Sequence, residues 1–254
     1  MTATKLQLTP PSSTDAKPLA GKVILITGAS RGLGRAIAVA AAAAGATTLL
    51  LARDMRALEK LADEIEAADG PAPSLVPLNL EAATVEHYEE VARLIAERWG
   101  RLDGLVLNAG SLGELSPLRN YDPLVWARVF QVNVHGNFLL LQACLPLLEM
   151  APTASVIFTS SSVGREGRAY WGAYAASKFA LEGIMQTLAD EVAGNTRIRV
   201  NSVNPGRCRT RMRAQAYPAE NPDTLPDPAT LAPAFVYLLS DAAEGCHGQQ
   251  YDLQ

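Results

Sequence analysis

Tyr174 and Lys178 are the two side chains of this sequence whose types and spacing best suit acid–base chemistry. Four residues apart on a helix, they share one face and lie one turn from each other. An ammonium beside a phenol favours the phenolate, so the pair predicts a tyrosine pKa below its usual value of about 10. Such a tyrosine can act as a general acid or base near neutral pH. The same spacing also occurs by chance in many helices, so it needs support from other motifs.

Ser161 is the candidate partner of this pair. It follows the apolar run Val156–Phe158, which predicts a buried strand, and it precedes Tyr174 by 13 residues (174 − 161). A hydroxyl at a strand end that faces a tyrosine on the next helix can hydrogen-bond a carbonyl oxygen. Ser160 and Ser162 flank this position, and the spacing to Tyr174 favours Ser161 over either neighbour.

A glycine-rich turn follows the first apolar strand, in the sequence VILITGASRGLG that begins at Val23. Glycine lets the backbone approach a phosphate closely, and the open N-terminus of the next helix attracts an anion. The spacing is Gly-x-x-x-Gly-x-Gly rather than the Gly-x-Gly-x-x-Gly of the standard dinucleotide fingerprint. The turn predicts a nucleotide site, although glycine turns after strands also form for steric reasons alone.

Apolar strands alternate with helical segments along the chain, which is the pattern of a parallel, doubly wound sheet. The predicted strands cover 23–26, 47–52, 74–78, 102–107, 155–159, 197–203 and 249–253, and the predicted helices cover 32–44, 54–68, 82–99, 121–148, 174–192 and 229–240. We therefore expect an α/β fold, a single Rossmann-type domain over residues 21–254 with about seven strands and helices on both faces. Residues 1–20 are polar and proline-containing and are expected to form a flexible tail, or else an oligomer contact.

The composition excludes several classes of protein. A net charge of −4 argues against nucleic acid as a partner, since a basic patch is the usual footprint. The three cysteines are odd in number and widely spaced, which indicates a reducing compartment, and the three histidines show no metal-ligand spacing, so no metal site is expected. The N-terminal residues lack the apolar core of a signal peptide, and the most apolar stretch, 36–52, is shorter than the ~20 residues that cross a bilayer. We expect a cytoplasmic protein without membrane contact.

Taken together, the motifs resemble those of the short-chain dehydrogenase/reductase family. The matching pieces are TGASRGLG at 27–34, NAG at 108–110, Asn133 in FQVNVHG, Ser161, YAASK at 174–178, and NPG with Thr210 at 204–210. Within that family, TSSSVGREGRAYWGAYAASKFALEG is especially similar to bacterial YciK-type oxidoreductases. The resemblance runs from about Lys22 to the end of the sequence. Two positions depart from the family pattern, because Leu107 replaces a second asparagine and Asn79 stands where an aspartate usually contacts adenine.

The resemblance implies hydride transfer between a nicotinamide dinucleotide and a small or medium-sized carbonyl or alcohol compound, in a homodimer or homotetramer. It implies that Tyr174 is the acid in reduction and the base in oxidation, and that Lys178 lowers the tyrosine pKa and binds the nicotinamide ribose. Ser161 would polarise the substrate carbonyl, and Asn133 would hold a water that links Lys178 to solvent. Segment 207–228 would cover the substrate. The implied cofactor-binding residues are Gly28, Ser30, Arg31, Gly32, Leu33, Gly34, Arg53, Asn79, Leu80, Asn108, Ala109, Gly110, Tyr174, Lys178, Pro205, Gly206, Cys208 and Thr210.

The choice between the two nicotinamide dinucleotides depends on the charge of the residue at the end of the second predicted strand, 47–52. An acidic residue there binds the ribose hydroxyls of NAD and repels a 2′-phosphate. Here the position is Ala52, followed by Arg53, and Arg31 lies inside the glycine turn. Two guanidinium groups suit a phosphate, so the sequence predicts NADP(H). Asp54 keeps NAD(H) as the alternative, because a small change of register would bring a carboxylate close.

Two other functions are compatible with this fold. A non-catalytic nucleotide-binding sensor or scaffold could keep the glycine turn, but it would not need a matched set of asparagine, serine, tyrosine and lysine. An epimerase or dehydratase is disfavoured by the glycine spacing and by the lack of a C-terminal substrate domain.

Overall fold

The computed structural model describes residues 4–5 and 17–254. Its strands are β1 (Thr4–Lys5), β2 (Val23–Thr27), β3 (Thr47–Ala52), β4 (Ser74–Pro77), β5 (Gly104–Leu107), β6 (Ala154–Thr159), β7 (Ile198–Asn204) and β8 (Gln249–Asp252). The helices are α1 (Gly32–Ala43), α2 (Met55–Ala67), α3 (Val85–Trp99), α4 (Pro123–Phe130), α5 (Gly136–Glu149), α6 (Gly172–Val192), α7 (Arg211–Ala216) and α8 (Pro228–Leu239). Most of the tail predicted over residues 1–20 lies outside the described residues.

All strands pair in parallel in one sheet with the order β1-β8-β7-β6-β5-β2-β3-β4. The predicted α/β, doubly wound fold is confirmed. The sequence predicts about seven strands, and the sheet has an eighth because it includes the two-residue strand β1. The strand order reverses between β2 and β5, and in open parallel sheets a ligand binds at such a switch point, beyond the carboxyl ends of the strands.

The sheet has an apolar core on each face. Ile24 and Ile26 of β2 belong to the core under α1, α2 and α8, whereas Val23 and Leu25 belong to the core under α3, α5 and α6. Successive side chains of a strand point to opposite faces, so a strand covered on both sides is apolar throughout. This two-sided burial explains the uninterrupted apolar run VILI. None of the helices in the described ranges is long and apolar enough to cross a bilayer.

The structure differs from the sequence prediction in two segments near the carboxyl edge. The single helix expected over 121–148 is interrupted by one π-helical turn, Gln131–His135, between α4 and α5. Segment 207–228, expected to lack regular structure, contains α7, whose N-terminus is capped by Thr210 Oγ1 accepting from Arg213 N at 3.2 Å. Capping by threonine satisfies one of the amide groups that a helix leaves unpaired.

Candidate active site

The glycine turn is attached to the strand on the other side of the switch point. Thr27, the last residue of β2, accepts hydrogen bonds at its Oγ1 from Asn108 N at 2.9 Å and Ala109 N at 2.8 Å. Asn108 Nδ2 donates in turn to the Thr27 carbonyl at 3.0 Å. The two segments after β2 and β5 therefore form one hydrogen-bonded unit. Thr27 was not among the predicted site residues, although its threonine side chain is what joins them.

Three glycines make this unit too tight for any larger side chain. Gly28 and Gly32 have φ values of +69° and +56°, in the left-handed region that favours glycine. A Cβ at Gly34 would lie 2.3 Å from the Gly28 carbonyl oxygen and 2.5 Å from Asn108 Nδ2. A Cβ at Gly32 would lie 3.3 Å from Thr210 Cγ2, so the loop after β7 faces the turn. Leu33 beside these glycines is buried and belongs to the core, while Ser30 is half-buried in the turn.

The N-terminus of α1 is suited to an anion. Within residues 17–254, no side chain caps this helix and no acidic residue lies in its first turn. The amide groups there point out of the helix with the positive end of its dipole, and both features favour a phosphate. The glycine turn and the N-terminus of α1 therefore fit the pyrophosphate of a dinucleotide.

Arg31 and Arg53 lie next to this helix end. Ala29 N donates to the Leu51 carbonyl at 3.2 Å, which holds the glycine turn beside the end of β3, where Arg53 follows. Both arginines are exposed, and no carboxylate in the described part of the chain pairs with either one. Asp54 instead caps α2, where its Oδ1 accepts from Ala57 N at 3.2 Å. The carboxylate at the end of β3 is thus engaged in capping α2, while the guanidinium groups of Arg31 and Arg53 are exposed.

The remaining predicted cofactor residues line the same edge. Asn79 is exposed and forms a tight turn by accepting from Glu81 N at 3.2 Å, and Leu80 beside it is buried. Gly110 lies against the centre of the site, because a Cβ there would be 3.5 Å from Asn133 Oδ1 and 3.8 Å from Lys178 Nζ.

The side chain of Gln254 binds the backbone of the loop after β7. Gln254 Nε2 donates to the carbonyl oxygens of Pro205 at 2.8 Å and Arg207 at 2.7 Å. Gly206, at φ +73°, leaves room for the Gln254 side chain, which a Cβ would approach to 2.7 Å. Cys208 is buried, and burial raises the pKa of its thiol. The described part of this loop therefore has a fixed backbone beside the glycine turn.

Tyr174 and Ser161 meet at the end of β6. Tyr174 lies in the first turn of α6 and is buried, and this burial raises the pKa of its phenol to about 12. The Ser161 side chain lies close enough to the phenol to offset part of that rise. Of the neighbouring serines, Ser160 has a buried hydroxyl without a partner among the described residues, and Ser162 is exposed. The geometry thus agrees with the choice of Ser161.

The predicted lowering of the Tyr174 pKa by Lys178 is wrong in this structure. Lys178 Nζ lies 5.6 Å from the centre of the Tyr174 ring and donates to the Thr159 carbonyl at 2.6 Å, rather than to the phenol oxygen. Desolvation by burial is the largest influence on the phenol pKa and raises it, so the phenol keeps its proton at neutral pH. Burial also lowers the pKa of Lys178, to about 8.

Asn133 lies at the centre of the π-helical turn and is fully buried. Its Oδ1 accepts from Ser111 N at 2.7 Å, and its Nδ2 donates to the Ser111 carbonyl and to Ser177 Oγ, both at 2.9 Å. Its own carbonyl accepts from Asn137 Nδ2 at 2.8 Å. Single π-helical turns inside α-helices occur frequently at functional sites, and this one turns Asn133 toward the loop after β5. Ser111, Ser177 and Asn137 were not predicted as site residues, because they belong to no recognisable motif or spacing.

Helix α7 packs against the cluster of buried side chains that contains Tyr174. Met212 and Ala216 pack against a small cluster that contains Leu112 and Tyr174, with Trp171 at its edge. The Trp171 ring centre lies 5.7 Å from that of Tyr174. The surface beside the phenol is therefore apolar and aromatic.

A second set of contacts holds α7 in this position. The ring of Tyr217, just after α7, lies 5.9 Å from the Trp171 ring, and its hydroxyl accepts from Arg168 Nη1 at 3.0 Å. The Arg213 guanidinium lies over the Tyr217 ring, 3.7 Å from its centre, and pairs with Glu220 at 2.5 Å. These contacts join segment 207–228 to the loop between β6 and α6.

Comparisons with known proteins agree with this geometry. A family model described as short chain dehydrogenase matches residues 22–221. The uncharacterized oxidoreductase YciK of Escherichia coli (strain K12) is 47% identical over 233 residues, which cover 92% of this chain and 92% of YciK.

Two solved structures superpose closely. One is a short chain dehydrogenase from Shigella flexneri 2a str. 301 complexed with NADP, with a TM-score of 0.91 and 46% identity over 93% of this chain and 98% of the other. The second is a short chain dehydrogenase from Escherichia coli CFT073 complexed with NADPH, with a TM-score of 0.91 and 47% identity over 94% of this chain and 99% of the other. These matches confirm the resemblance drawn from the motifs.

Proposed function

Because the chain belongs to the short-chain dehydrogenase/reductase family, we propose that it is an NADP(H)-dependent oxidoreductase that reduces a small or medium-sized carbonyl compound to an alcohol. The observation that carries the proposal is the meeting of Ser161, Tyr174 and Lys178 at the carboxyl edge of the sheet, beside the glycine turn. A protein that only senses a nucleotide has no need for this set.

NADP(H) is the proposed cofactor, with NAD(H) as the alternative. The two arginines beside the α1 N-terminus suit a 2′-phosphate, and Asp54 is engaged as the cap of α2 rather than directed to a ribose. The related structures from Shigella flexneri and Escherichia coli were complexed with NADP and NADPH, which supports the same choice here. The residues that would hold the cofactor are those of the glycine turn and the loops after β3, β4, β5 and β7, together with Tyr174 and Lys178.

Tyr174 is proposed to be the general acid. A nicotinamide cofactor, when bound, supplies the hydride that adds to the carbonyl carbon, while the protein supplies orientation and electrostatics. As the carbonyl oxygen gains negative charge, the Tyr174 phenol transfers its proton to that oxygen, and Ser161 donates a hydrogen bond to it. Burial keeps the phenol protonated at neutral pH, which favours reduction over alcohol oxidation.

Lys178 and Asn133 would support this step without touching the carbonyl. The ammonium of Lys178 lies near the Tyr174 ring and would stabilise the phenolate that forms when the proton leaves. The Asn133 side chain is occupied by Ser111 and Ser177, so a water that links Lys178 to solvent would bind the second lone pair of the Asn133 carbonyl.

The substrate is proposed to have an apolar or ring-bearing body. Leu112, Met212 and Ala216 supply aliphatic surface beside Tyr174, and Trp171 supplies an aromatic face. We propose that segment 207–228 is the cover of this site, because α7 carries two of these residues and Tyr217 fastens it to Trp171.

A homodimer or homotetramer would pack through α5 and α6, on which Phe138 and Phe179 are 43% and 45% exposed. The partners would be a small molecule and copies of the chain, without nucleic acid or membrane, in the cytoplasm.

The test is a fluorescence titration of the purified protein with NADPH and with NADH, followed by a screen of ketones and aldehydes with the cofactor that binds. The proposal expects tight NADPH binding, weaker NADH binding and consumption of NADPH by some carbonyl compound. NADPH binding without turnover of any compound would favour the sensor or scaffold. Failure to bind either dinucleotide would overturn the proposal.

A further inference from the structure

A buried carboxylate lies one helical turn beyond Lys178. Lys178 and Glu182 are four residues apart on α6, so their side chains share one face, and each is only 3% exposed. The two groups form no ion pair with each other within the described residues. A charged carboxylate in the interior is costly unless other groups compensate it, so its presence beside the candidate catalytic lysine calls for an explanation.

Three donors hold the Glu182 carboxylate. Its Oε1 accepts from Arg165 Nε at 3.2 Å, and its Oε2 accepts from Ser202 Oγ at 2.7 Å and Gln250 Nε2 at 2.9 Å. Three hydrogen bonds, one of them from a guanidinium, supply the compensation that a buried carboxylate requires. The donors come from three separate segments, so the fold fixes the position of this side chain.

The same network supports the loop that carries Ser161. Arg165 also pairs with Asp252 of β8 at 2.7 Å, and Asp252 accepts from Asn204 Nδ2 at 2.8 Å. Gly164, just before Arg165, packs directly on α6, since a Cβ there would lie 2.8 Å from Lys178 Cβ. The Arg165 network therefore fastens the end of the Ser161 loop against the backbone of Lys178.

We propose that Glu182 is a positioning residue whose carboxylate, held by Arg165, Ser202 and Gln250, keeps the buried side chain of Lys178 in its ammonium form. The value of this charge for turnover rests on the proposed function, whereas the effect on Lys178 itself does not.

Among residues 17–254, the other groups around Lys178 do not supply such a charge. Tyr174 on α6 stays neutral because burial raises its pKa, and burial likewise raises the pKa of the Cys208 thiol near Tyr174. Asp252 on β8 is paired with Arg165. Burial alone lowers the pKa of Lys178, and Glu182 acts in the opposite direction, so removal of its charge should lower that pKa further.

The experiment measures the titration of Lys178 directly, by NMR of protein labelled with ¹³C in the lysine side chains. The sequence has five lysines, Lys5, Lys17, Lys22, Lys60 and Lys178, so the spectrum is simple, and Lys178→Arg assigns the signal. The variant is Glu182→Gln, which keeps the shape and removes the charge. The control is Asp252→Asn, which removes the other carboxylate partner of Arg165 but leaves Glu182 in place.

The proposal expects the titration midpoint of Lys178 to move to lower pH by about 1 in Glu182→Gln and to stay unchanged in Asp252→Asn. The alkaline limb of kcat/KM should move in the same direction and by the same amount. An unchanged Lys178 midpoint in Glu182→Gln would overturn the proposal and leave Glu182 as a structural cross-link, even if stability fell. If Glu182→Gln does not fold, the double variant Arg165→Gln/Glu182→Gln removes both charges of the buried pair and leaves Asp252 its hydrogen bond from Asn204, and it carries the same expectation.

The NMR result is independent of the proposed function. If no carbonyl compound is reduced, the oxidoreductase proposal fails, but the Lys178 titration still confirms or refutes the role of Glu182.

Discussion

Lys178 Nζ donates its 2.6 Å hydrogen bond to the Thr159 carbonyl and lies 5.6 Å from the centre of the Tyr174 ring. The lysine therefore does not share a proton with the phenol, and burial shifts the pKa of each side chain in a different direction. Burial raises the pKa of Tyr174 to about 12 and lowers that of Lys178 to about 8. At neutral pH this gives a neutral phenol beside an ammonium, which is the arrangement that a proton donor for carbonyl reduction needs.

The pH dependence of carbonyl reduction should follow Lys178. Below about pH 8 its ammonium is present and can stabilise a phenolate, and as the pH rises through this value the charge is lost. Tyr174 remains protonated over the same range. We expect kcat/KM for reduction to fall with a midpoint near pH 8, measured by NADPH absorbance from pH 6 to 10. A rate that increases through pH 8 would show that a phenolate, rather than a phenol, is the active form.

Gly34→Ala should damage the glycine turn. The new Cβ would lie 2.3 Å from the Gly28 carbonyl oxygen, and both neighbours are backbone or tightly held groups. We expect the free energy of unfolding to fall by about 1–3 kcal/mol and NADPH binding to weaken at least about tenfold. The control is Gly183→Ala in the middle of α6, where nothing lies within 4 Å and alanine should raise helix stability by up to about 1 kcal/mol. Equal behaviour of the two variants would refute the steric account.

Arg53→Ala should weaken the binding of NADPH and leave that of NADH unchanged. The guanidinium is exposed at the end of β3, beside the turn that would hold the adenosine ribose. A charge-assisted hydrogen bond contributes about 1.5–3 kcal/mol, so the Kd for NADPH should rise about tenfold or more. Arg56→Ala, in the first turn of α2, is the matched control with an exposed arginine. An equal loss of affinity for both dinucleotides would remove Arg53 from the phosphate site.

Tyr217→Ala should loosen the cover of the site. This change removes the contact with the Trp171 ring, the acceptor for Arg168 and the surface under Arg213. We expect KM for the carbonyl substrate to rise about tenfold while the Kd for NADPH stays the same. Tyr217→Phe keeps the ring and should have a smaller effect. An unchanged KM in Tyr217→Ala would show that segment 207–228 does not contact the substrate.

The sequence predicted those features that depend on residue type and short spacing. The glycine turn, the strand before Ser161 and the shared face of Tyr174 and Lys178 follow from local periodicity, and they lie where expected. The parallel sheet follows from the alternation of strands and helices, which places all of these motifs at one edge.

Features that depend on tertiary packing were not predictable. The π-helical turn at 131–135 carries no local signal, and Thr27 reveals its role only when β2 and β5 lie side by side. The spacing of Tyr174 and Lys178 also gave the wrong direction for the phenol pKa, because the degree of burial cannot be seen in a sequence. Glu182 binds Arg165, which lies 17 residues away in the sequence, and Gln250, which lies 68 residues away. Such contacts form only when the chain has folded, so the sequence does not reveal them.

The most direct test of the proposed reaction is the variant Tyr174→Phe, with turnover and NADPH binding measured on the same preparation. The phenol oxygen supplies the proton, and phenylalanine keeps the buried ring that packs with Leu112 and Trp171. We expect kcat to fall by about 10²–10⁴-fold or more while the Kd for NADPH changes by less than about threefold. A Tyr174→Phe protein that still reduces the carbonyl compound at the wild-type rate would contradict the central proposal, that Tyr174 is the proton donor.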